Sequence, residues 1–239
     1  MDKIQQKRAY WLLKDVNKAI RQYKMISHGD KIAVAISGGK DSLTLLKLLD
    51  LRRKSVKENY ELSVIHIIGD SRGPEILPHS PLVQWLENNP YDYVIVPLNI
   101  PEDEPLPLNC SRCTWNRRKT IFEAAQKLNC NVIAFGHHAD DLAQTTLMNL
   151  LYHGRIETIF PIQEYFDGTF RLIRPLCLVP EKEIMRFARV CDFPLPPPAC
   201  PNSEKSHRKF IGDLIDLAEK NCQDARVNLL RAGLQGLQV

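Results

Sequence analysis

The chain has 239 residues, with 32 basic and 28 acidic side chains, a formal charge of +4 and 44% hydrophobic composition. That excludes a disordered chain and suits one large domain, or one domain with a small appendage. No apolar run approaches the roughly 18 residues that cross a bilayer, and the opening MDKIQQKRAYWLLKD lacks a signal-peptide core, so a cytoplasmic location with no membrane partner is expected.

Residues 4–25 place Leu12, Leu13, Val16, Ala19, Ile20 and Tyr23 at helical spacing, predicting an amphipathic helix that packs on a sheet or on a second copy of the chain, which would make a homodimer. Residues 31–36 read as a buried strand and residues 43–49 as a leucine-rich helix, so 37–42 must be the turn between them. Further apolar runs at 62–68, 93–96, 132–135 and 170–173 alternate with helical patterns. This predicts an α/β fold with a mainly parallel sheet flanked by helices. The proline-rich stretches 97–110 and 193–209 read as loops that deliver Cys110 and Cys200 to a surface or cleft. Residues 204–232 return to helical spacing. One domain spanning 1–239 is expected, built from an N-terminal helix (1–28), a catalytic α/β core (29–200) and a C-terminal helical extension (201–239).

The turn SGGKDS combines three kinds of anion donor. Gly38 and Gly39 let backbone amides approach closely, a helix N-terminus follows, and Ser37, Lys40 and Ser42 offer side-chain donors. It is not the mononucleotide motif GxxxxGK[ST], because Lys40 is followed by Asp41 and Val34 stands five positions before Gly39. A second junction, FGHHADD, starts where the strand 132–135 ends. If the strands are parallel, His137, Asp140 and Asp141 share an edge with residues 37–42, where ligands of open α/β sheets bind. The two aspartates either cap the following helix or serve Mg²⁺ and an acceptor base.

Seven cysteines, an odd number without an export signal, argue against a disulfide framework. Cys130, Cys177, Cys191 and Cys222 lie in or beside apolar runs and read as small buried thiols. Cys110 and Cys113 form CxxC, beside a basic cluster of Arg112, Arg117, Arg118 and Lys119, with Cys200 as a third exposed thiol. Three readings stand: a [4Fe–4S] cluster with one iron not held by a thiolate, a persulfide or disulfide pair, and zinc completed by a histidine such as His207. Two more basic clusters, Arg52, Arg53, Lys54 and Lys57, and Lys205, His207, Arg208 and Lys209, read as helix ends or as nucleic-acid contacts.

SGGKDS, GHHADD, CSRC, RPL at 174–176 and the late PAC together resemble the PP-loop ATPases that thiolate tRNA, most closely the tRNA 2-thiocytidine synthetase (TtcA) group. The resemblance implies ATP, Mg²⁺ and a [4Fe–4S] cluster as cofactors, with tRNA as substrate. Residues Ser37, Gly38, Gly39, Lys40, Asp41, Ser42, Gly136, His137 and Arg174 would bind the nucleotide, Lys40, Asp41, Asp140 and Asp141 would act in catalysis, and Cys110, Cys113 and Cys200 would hold the metal. A base carbonyl attacks the α-phosphorus, pyrophosphate leaves, and sulfur from a donor such as a cysteine desulfurase or inorganic sulfide displaces AMP. The chain departs from the group in having one cysteine, not two, in its late motif, and from related 2-thiouridine synthetases in lacking further CxxC pairs. Two competing functions remain at this level: an adenylating enzyme with an amine nucleophile, of the lysidine type, and a non-catalytic nucleotide-binding redox sensor.

Overall fold

A computed structural model describes residues 1–74, 77–198 and 207–237. Helix α1 (Lys3–Gln22) opens with a capping box, in which Asp2 Oδ1 accepts from Gln5 N at 2.7 Å and Gln5 Oε1 accepts from Asp2 N at 3.1 Å. There follow β1 (Lys31–Ile36), α2 (Lys40–Arg53), β2 (Glu61–Ile68), α3 (Ser80–Glu87), β3 (Asp92–Pro97), α4 (Cys110–Lys127), β4 (Val132–Ala134), α5 (Ala139–His153), β5 (Ile162–Tyr165), β6 (Phe170–Ile173), α6 (Glu181–Ala188), α7 (His207–Glu219) and α8 (Ala225–Gly236).

The six described strands form one sheet in the order β3-β2-β1-β4-β6-β5. All neighbours pair in parallel except β5 with β6. From β1 the chain winds outward through β2 to β3, then returns to build β4 and β6 on the other side. The reversal leaves a crevice at the carboxyl ends of β1 and β4, the usual place for a ligand in a doubly wound sheet.

Each central strand feeds two cores, because successive side chains point to opposite faces. Ile32, Val34, Leu62, Val64, Val132 and Ala134 join the layer beneath α1, α2, α3 and α6. Ala33, Ile65, Ile67 and Ile133 join a smaller layer against α4. At roughly 25 cal/mol per Å² of apolar surface, this two-sided burial is the main favourable term in folding. The C-terminal helices α7 and α8 pack on α5.

Three sequence expectations need correction. Strand β5 was not legible, because Ile162–Tyr165 is short and half-polar; its hairpin turns at Phe166, Asp167 and Gly168, all at positive φ. The tail is helical as expected, in two helices, but the break between them exposes Cys222, which was expected to be buried, while Cys130 and Cys177 are buried as expected and Cys191 is half-buried. The basic end of α2 is only partly a solvated helix end: Lys54 and Lys57 are exposed, but the other two are not. Arg52 is buried and donates to Asn17 Oδ1 at 2.9 Å, and Asp50 accepts from Arg53 at 2.7 Å and Lys54 at 2.8 Å.

At the amino edge of the sheet, buried Asp30 accepts from Ser27 N at 2.6 Å and Asn131 Nδ2 at 2.9 Å, and pairs with Arg171 of β6. Asn131 Oδ1 in turn accepts from Lys31 N at 2.8 Å. One carboxylate therefore joins the entries of β1, β4 and β6. Asp30→Ala should cost about 3 kcal/mol, since it strands three donors at once. Urea unfolding checks this, and a loss below about 0.5 kcal/mol would mean that the network is incidental.

Candidate active site

The glycine turn is held by its own serines. Ser42 Oγ donates to Gly39 O at 3.0 Å and accepts from Ser37 N at 3.2 Å, and Gly39 N donates to Ser37 Oγ at 3.3 Å. Gly38 has φ +86, where L side chains are strained. Gly39 is the N-cap of α2 and supplies no side-chain cap, which leaves first-turn amides and the positive helix end directed into the crevice.

Above Gly38 lies the proline segment: a Cβ there would stand 2.9 Å from Pro197 Cδ and 3.2 Å from Leu82 Cδ2. Helix α3 holds that segment in place. His79 Nε2 lies 2.8 Å from Leu195 O, and Trp85 Nε1 donates to Asp192 O at 3.0 Å. Cys200 falls outside the described residues.

The second turn meets the first through Gly136. A Cβ on Gly136 would lie 3.0 Å from Ser42 N and 3.1 Å from Asp41 C, so the absence of a side chain lets the turns touch. The expectation that residues 37–42 and His137, Asp140 and Asp141 share one edge is met by the parallel pairing of β1 with β4.

The two aspartates face different ways. Asp141 Oδ2 accepts from His138 N at 3.0 Å, closing the first turn of α5, its Oδ1 lies 3.2 Å from Arg208, and it lines the cleft. Asp140 Oδ2 accepts from Glu181 N at 2.7 Å and its Oδ1 pairs with Arg226 at 3.0 Å, so this carboxylate orients α6 and α8. Lys40 Nζ is 2.8 Å from Glu181 Oε1 and 3.1 Å from Asp41 Oδ1. Burial pulls the Lys40 pKa down, but Glu181 and Asp41 outweigh it and the net shift is upward. Burial likewise pushes Glu181 up and Lys40 reverses it, so the carboxyl ends below its ordinary value.

His138, Asp41 and Glu181 bring one potential ligand atom each within 4.8 Å of one another. Within this group the buried His138 Nδ1 has no hydrogen-bond partner, while Asp41 Oδ1 is engaged by the Lys40 ammonium. That donor set of carboxylates and an imidazole fits a divalent cation.

The cleft itself, about 320 Å³, is lined by Ser37, Asp41, Ser42, Gly136, His137 and Asp141 and by apolar residues of β1, β2 and α4. His137 Nδ1 accepts from Arg174 Nε at 3.3 Å, and buried Arg174 also donates to Phe160 O. Desolvation, reinforced by Arg174, pulls the His137 pKa down to about 4, which leaves a neutral imidazole facing the ligand space.

Sequence reasoning assigned Arg117 to a surface cluster, and the structure corrects this. Arg117 lines the cleft, donating to Ile67 O at 3.2 Å and Gly69 O at 2.6 Å. Arg112 is held by Glu104 at 2.5 Å. Cys110, Cys113, Arg117 and Ile121 follow i, i+3, i+7, i+11 along α4 and share one face. Exposed Cys110 and half-buried Cys113 are thus placed on the helix face that also walls the cleft, with Cys113 about 6 Å along the axis from Arg117. Sequence reasoning also missed Glu181 and His138. Glu181 follows Pro180 at a helix start, a signal for the helix but not for a partner 141 positions away.

Gly136→Ala should separate the turns by a few tenths of an ångström, costing about 1–3 kcal/mol by overpacking and lowering nucleotide affinity by at least tenfold; isothermal titration and urea unfolding on one preparation test both. A variant with unchanged affinity would show that the approach of the turns is dispensable. A pH dependence follows as well. In the unfolded chain His137 takes up a proton near pH 6.5, but the folded protein resists until about 4. Stability is therefore full above pH 6.5 and falls as pH drops toward 4. His66, its pKa lowered by burial, acts in the same sense. His137→Gln should flatten the slope between pH 6.5 and 5, and an unaltered slope would remove His137 as its source.

The PP-loop domain family (ATP_bind_3) matches residues 112–195. The chain is 34% identical over 226 residues to a protein named tRNA-cytidine(32) 2-sulfurtransferase from Citrifermentans bemidjiense, covering 91% of this chain and 87% of the relative. A protein of the same name from Geotalea uraniireducens is 35% identical, with 91% and 88% covered. Among solved structures, the U34-tRNA thiolase NcsA from Methanococcus maripaludis with its [4Fe-4S] cluster superposes with TM-score 0.78 at 25% identity, covering 98% of this chain and 80% of that one. With its glycine turn, its GHHADD junction and its CxxC helix meeting at one crevice, the chain belongs to the tRNA-cytidine(32) 2-sulfurtransferase family of PP-loop proteins.

Proposed function

We propose that this protein is an ATP-dependent tRNA sulfurtransferase that adenylylates a cytidine, at position 32 as in its named relatives, and replaces the base oxygen with sulfur. The observation that carries the reading is the shared helix face of α4, which puts a thiol pair and a wall of the nucleotide cleft on one rigid element.

Roles follow from the geometry. Backbone amides at Gly38, Gly39 and the start of α2 receive the pyrophosphate end of ATP. Lys40 is placed to exchange Glu181 for a phosphate, and Asp41 and Glu181, with His138, would then hold Mg²⁺, whose charge would offset that of the phosphates. Asp141 faces the same space, whereas Asp140 acts by fixing Glu181. Neutral His137, its Nδ1 occupied by Arg174, offers its Nε2–H as a hydrogen-bond donor to ligand without adding charge. The oxygen of a pyrimidine carbonyl is a poor leaving group until its attack on the α-phosphorus expels pyrophosphate; sulfur then expels AMP.

Cys110 and Cys113 lie in the first turn of α4, where the helix end favours thiolates, a donor set that fits an iron–sulfur cluster. Cys200 is the third ligand we assign, supported by its place three residues after Pro197, which packs on the glycine turn. The cluster, when bound, would supply sulfide-level sulfur for the transfer, drawn directly from inorganic sulfide or from a persulfide carrier such as a cysteine desulfurase together with a thiol reductant that provides two electrons. An amine nucleophile of the lysidine type, or a redox sensor, leaves the placement of the thiol pair beside the cleft without a purpose.

Lys40→Ala should reduce tRNA-dependent pyrophosphate release by about a hundredfold or more while iron content stays at the wild-type level. Cys110→Ser should do the reverse, losing iron and 2-thiocytidine formation, read by nucleoside mass spectrometry, while retaining ATP binding. Equal loss of both properties in both variants would defeat the division of labour between turn and thiolates.

A further inference from the structure

Helix α1 buries Ala9, Leu12, Val16, Ala19 and Ile20 against the core. Its opposite face carries Lys7, Tyr10, Trp11, Lys14, Lys18 and Arg21, every one of them exposed. At about 100° and 1.5 Å per residue these six fall in one stripe about 100° wide and about 21 Å long. The two rings are largely in solvent, Tyr10 at 59% and Trp11 at 55% exposure, and stand edge to face with centroids 5.6 Å apart. Lys14 Nζ lies 3.9 Å from the Trp11 centroid and 4.9 Å from that of Tyr10.

No acid interrupts the stripe; Asp15 is half-buried at its margin. Elsewhere several members of the basic clusters are paired with acids. Arg53 and Lys54 are paired with Asp50, Arg112 with Glu104, Arg208 with Asp141 and Arg226 with Asp140. Among the described residues no salt bridge involves Lys7, Lys14, Lys18 or Arg21.

We propose that this stripe is a docking surface for RNA, its cations contacting backbone phosphates and its two rings stacking on a base or sugar of the substrate tRNA. The pairing of exposed cations that make no salt bridge with exposed aromatics is the chemistry that single strands and loops of RNA recognise. Helix α1 is anchored to the helix that carries Glu181. Gln5 Nε2 donates to Val190 O at 2.6 Å and Arg8 lies 4.0 Å from Glu183, so α1 lies along α6, whose first residue is Glu181.

Two other occupants fit less well. An anionic membrane needs an apolar face to insert, and the apolar face of α1 is already buried in the core. A two-fold copy would set like charge against like charge.

The inference rests on the tRNA assignment above, and the test keeps the two apart. Fluorescence anisotropy would compare unmodified tRNA binding by wild type, Lys7→Glu/Lys14→Glu, Trp11→Ala, and Lys31→Glu/Lys127→Glu, a control with the same change in net charge at the amino edge of the sheet. The stripe double variant should bind about tenfold or more weakly and lower the slope of log K against log salt by about 1 to 2. Trp11→Ala should lose about fivefold or more with its salt slope intact. The control should stay within about threefold of wild type. If wild type binds tRNA and the stripe variants match the control, the stripe is not the RNA surface and the enzymatic reading stands. If wild type itself fails to bind, the tRNA assignment falls and takes the stripe with it. Loss of binding to phosphatidylglycerol vesicles, or of self-association, with tRNA affinity unchanged, would likewise overturn the proposal in favour of a membrane or a second copy.

Discussion

The site depends on how closely two backbone turns can approach. Parallel register between β1 and β4, with Ile32 opposite Val132 and Val34 opposite Ala134, ends both strands at one height and sends their turns out side by side. Gly136 then lets its turn rest on the backbone of Asp41 and Ser42. Because each turn starts a helix, the N-termini of α2 and α5 converge, and Asp140 adds that of α6 by accepting from Glu181 N. Three positive helix ends facing one crevice favour an anion before any side chain is counted.

The side chains there are balanced rather than simply basic. Lys40, Arg174 and Arg208 stand among Asp41, Asp141 and Glu181, and the Lys40–Glu181 contact shifts both partners toward their charged forms against the opposing effect of burial. Such a pair is satisfied without ligand. On the proposed reading, a phosphate takes the lysine while a divalent cation takes the carboxylates, so neither partner is left as an uncompensated charge in a partly desolvated place. The buried His138 Nδ1, without a hydrogen-bond partner, and Asp41 Oδ1, engaged only by the lysine that the phosphate would take, fit that exchange.

Where periodicity is strong and local, the fold was legible in the sequence. The strands around 31–36, 62–68 and 93–96 and the first helix lie close to their predicted places, and SGGKDS announced its own turn. What was hidden depended on partners distant in sequence. The role of Arg117 is fixed by carbonyls 48 and 50 positions earlier, and that of Glu181 by a lysine 141 positions earlier. Local charge counting therefore placed Arg117 on the surface and left Glu181 out. Strand β5 was invisible for a related reason: with four half-polar residues it owes its strand conformation to β6.

Helix α4 explains why the thiol pair need not be near the glycine turn in sequence to act with it. Its N-terminus is fixed by Asn109, whose side chain accepts from Arg112 N at 2.9 Å, and by Glu104, which holds both Arg112 and Asn116. Two turns along, Arg117 grips the end of β2 through two carbonyls. A helix pinned at both points cannot rotate without breaking several charge-assisted bonds, so the angle between the cysteine face and the cleft is set by the fold. A thiol pair on a loop would have to be ordered by its ligand at each turnover. Here the ordering is done once, in folding, and Cys110 and Cys113 inherit their register from the sheet edge that also bears the phosphate turn.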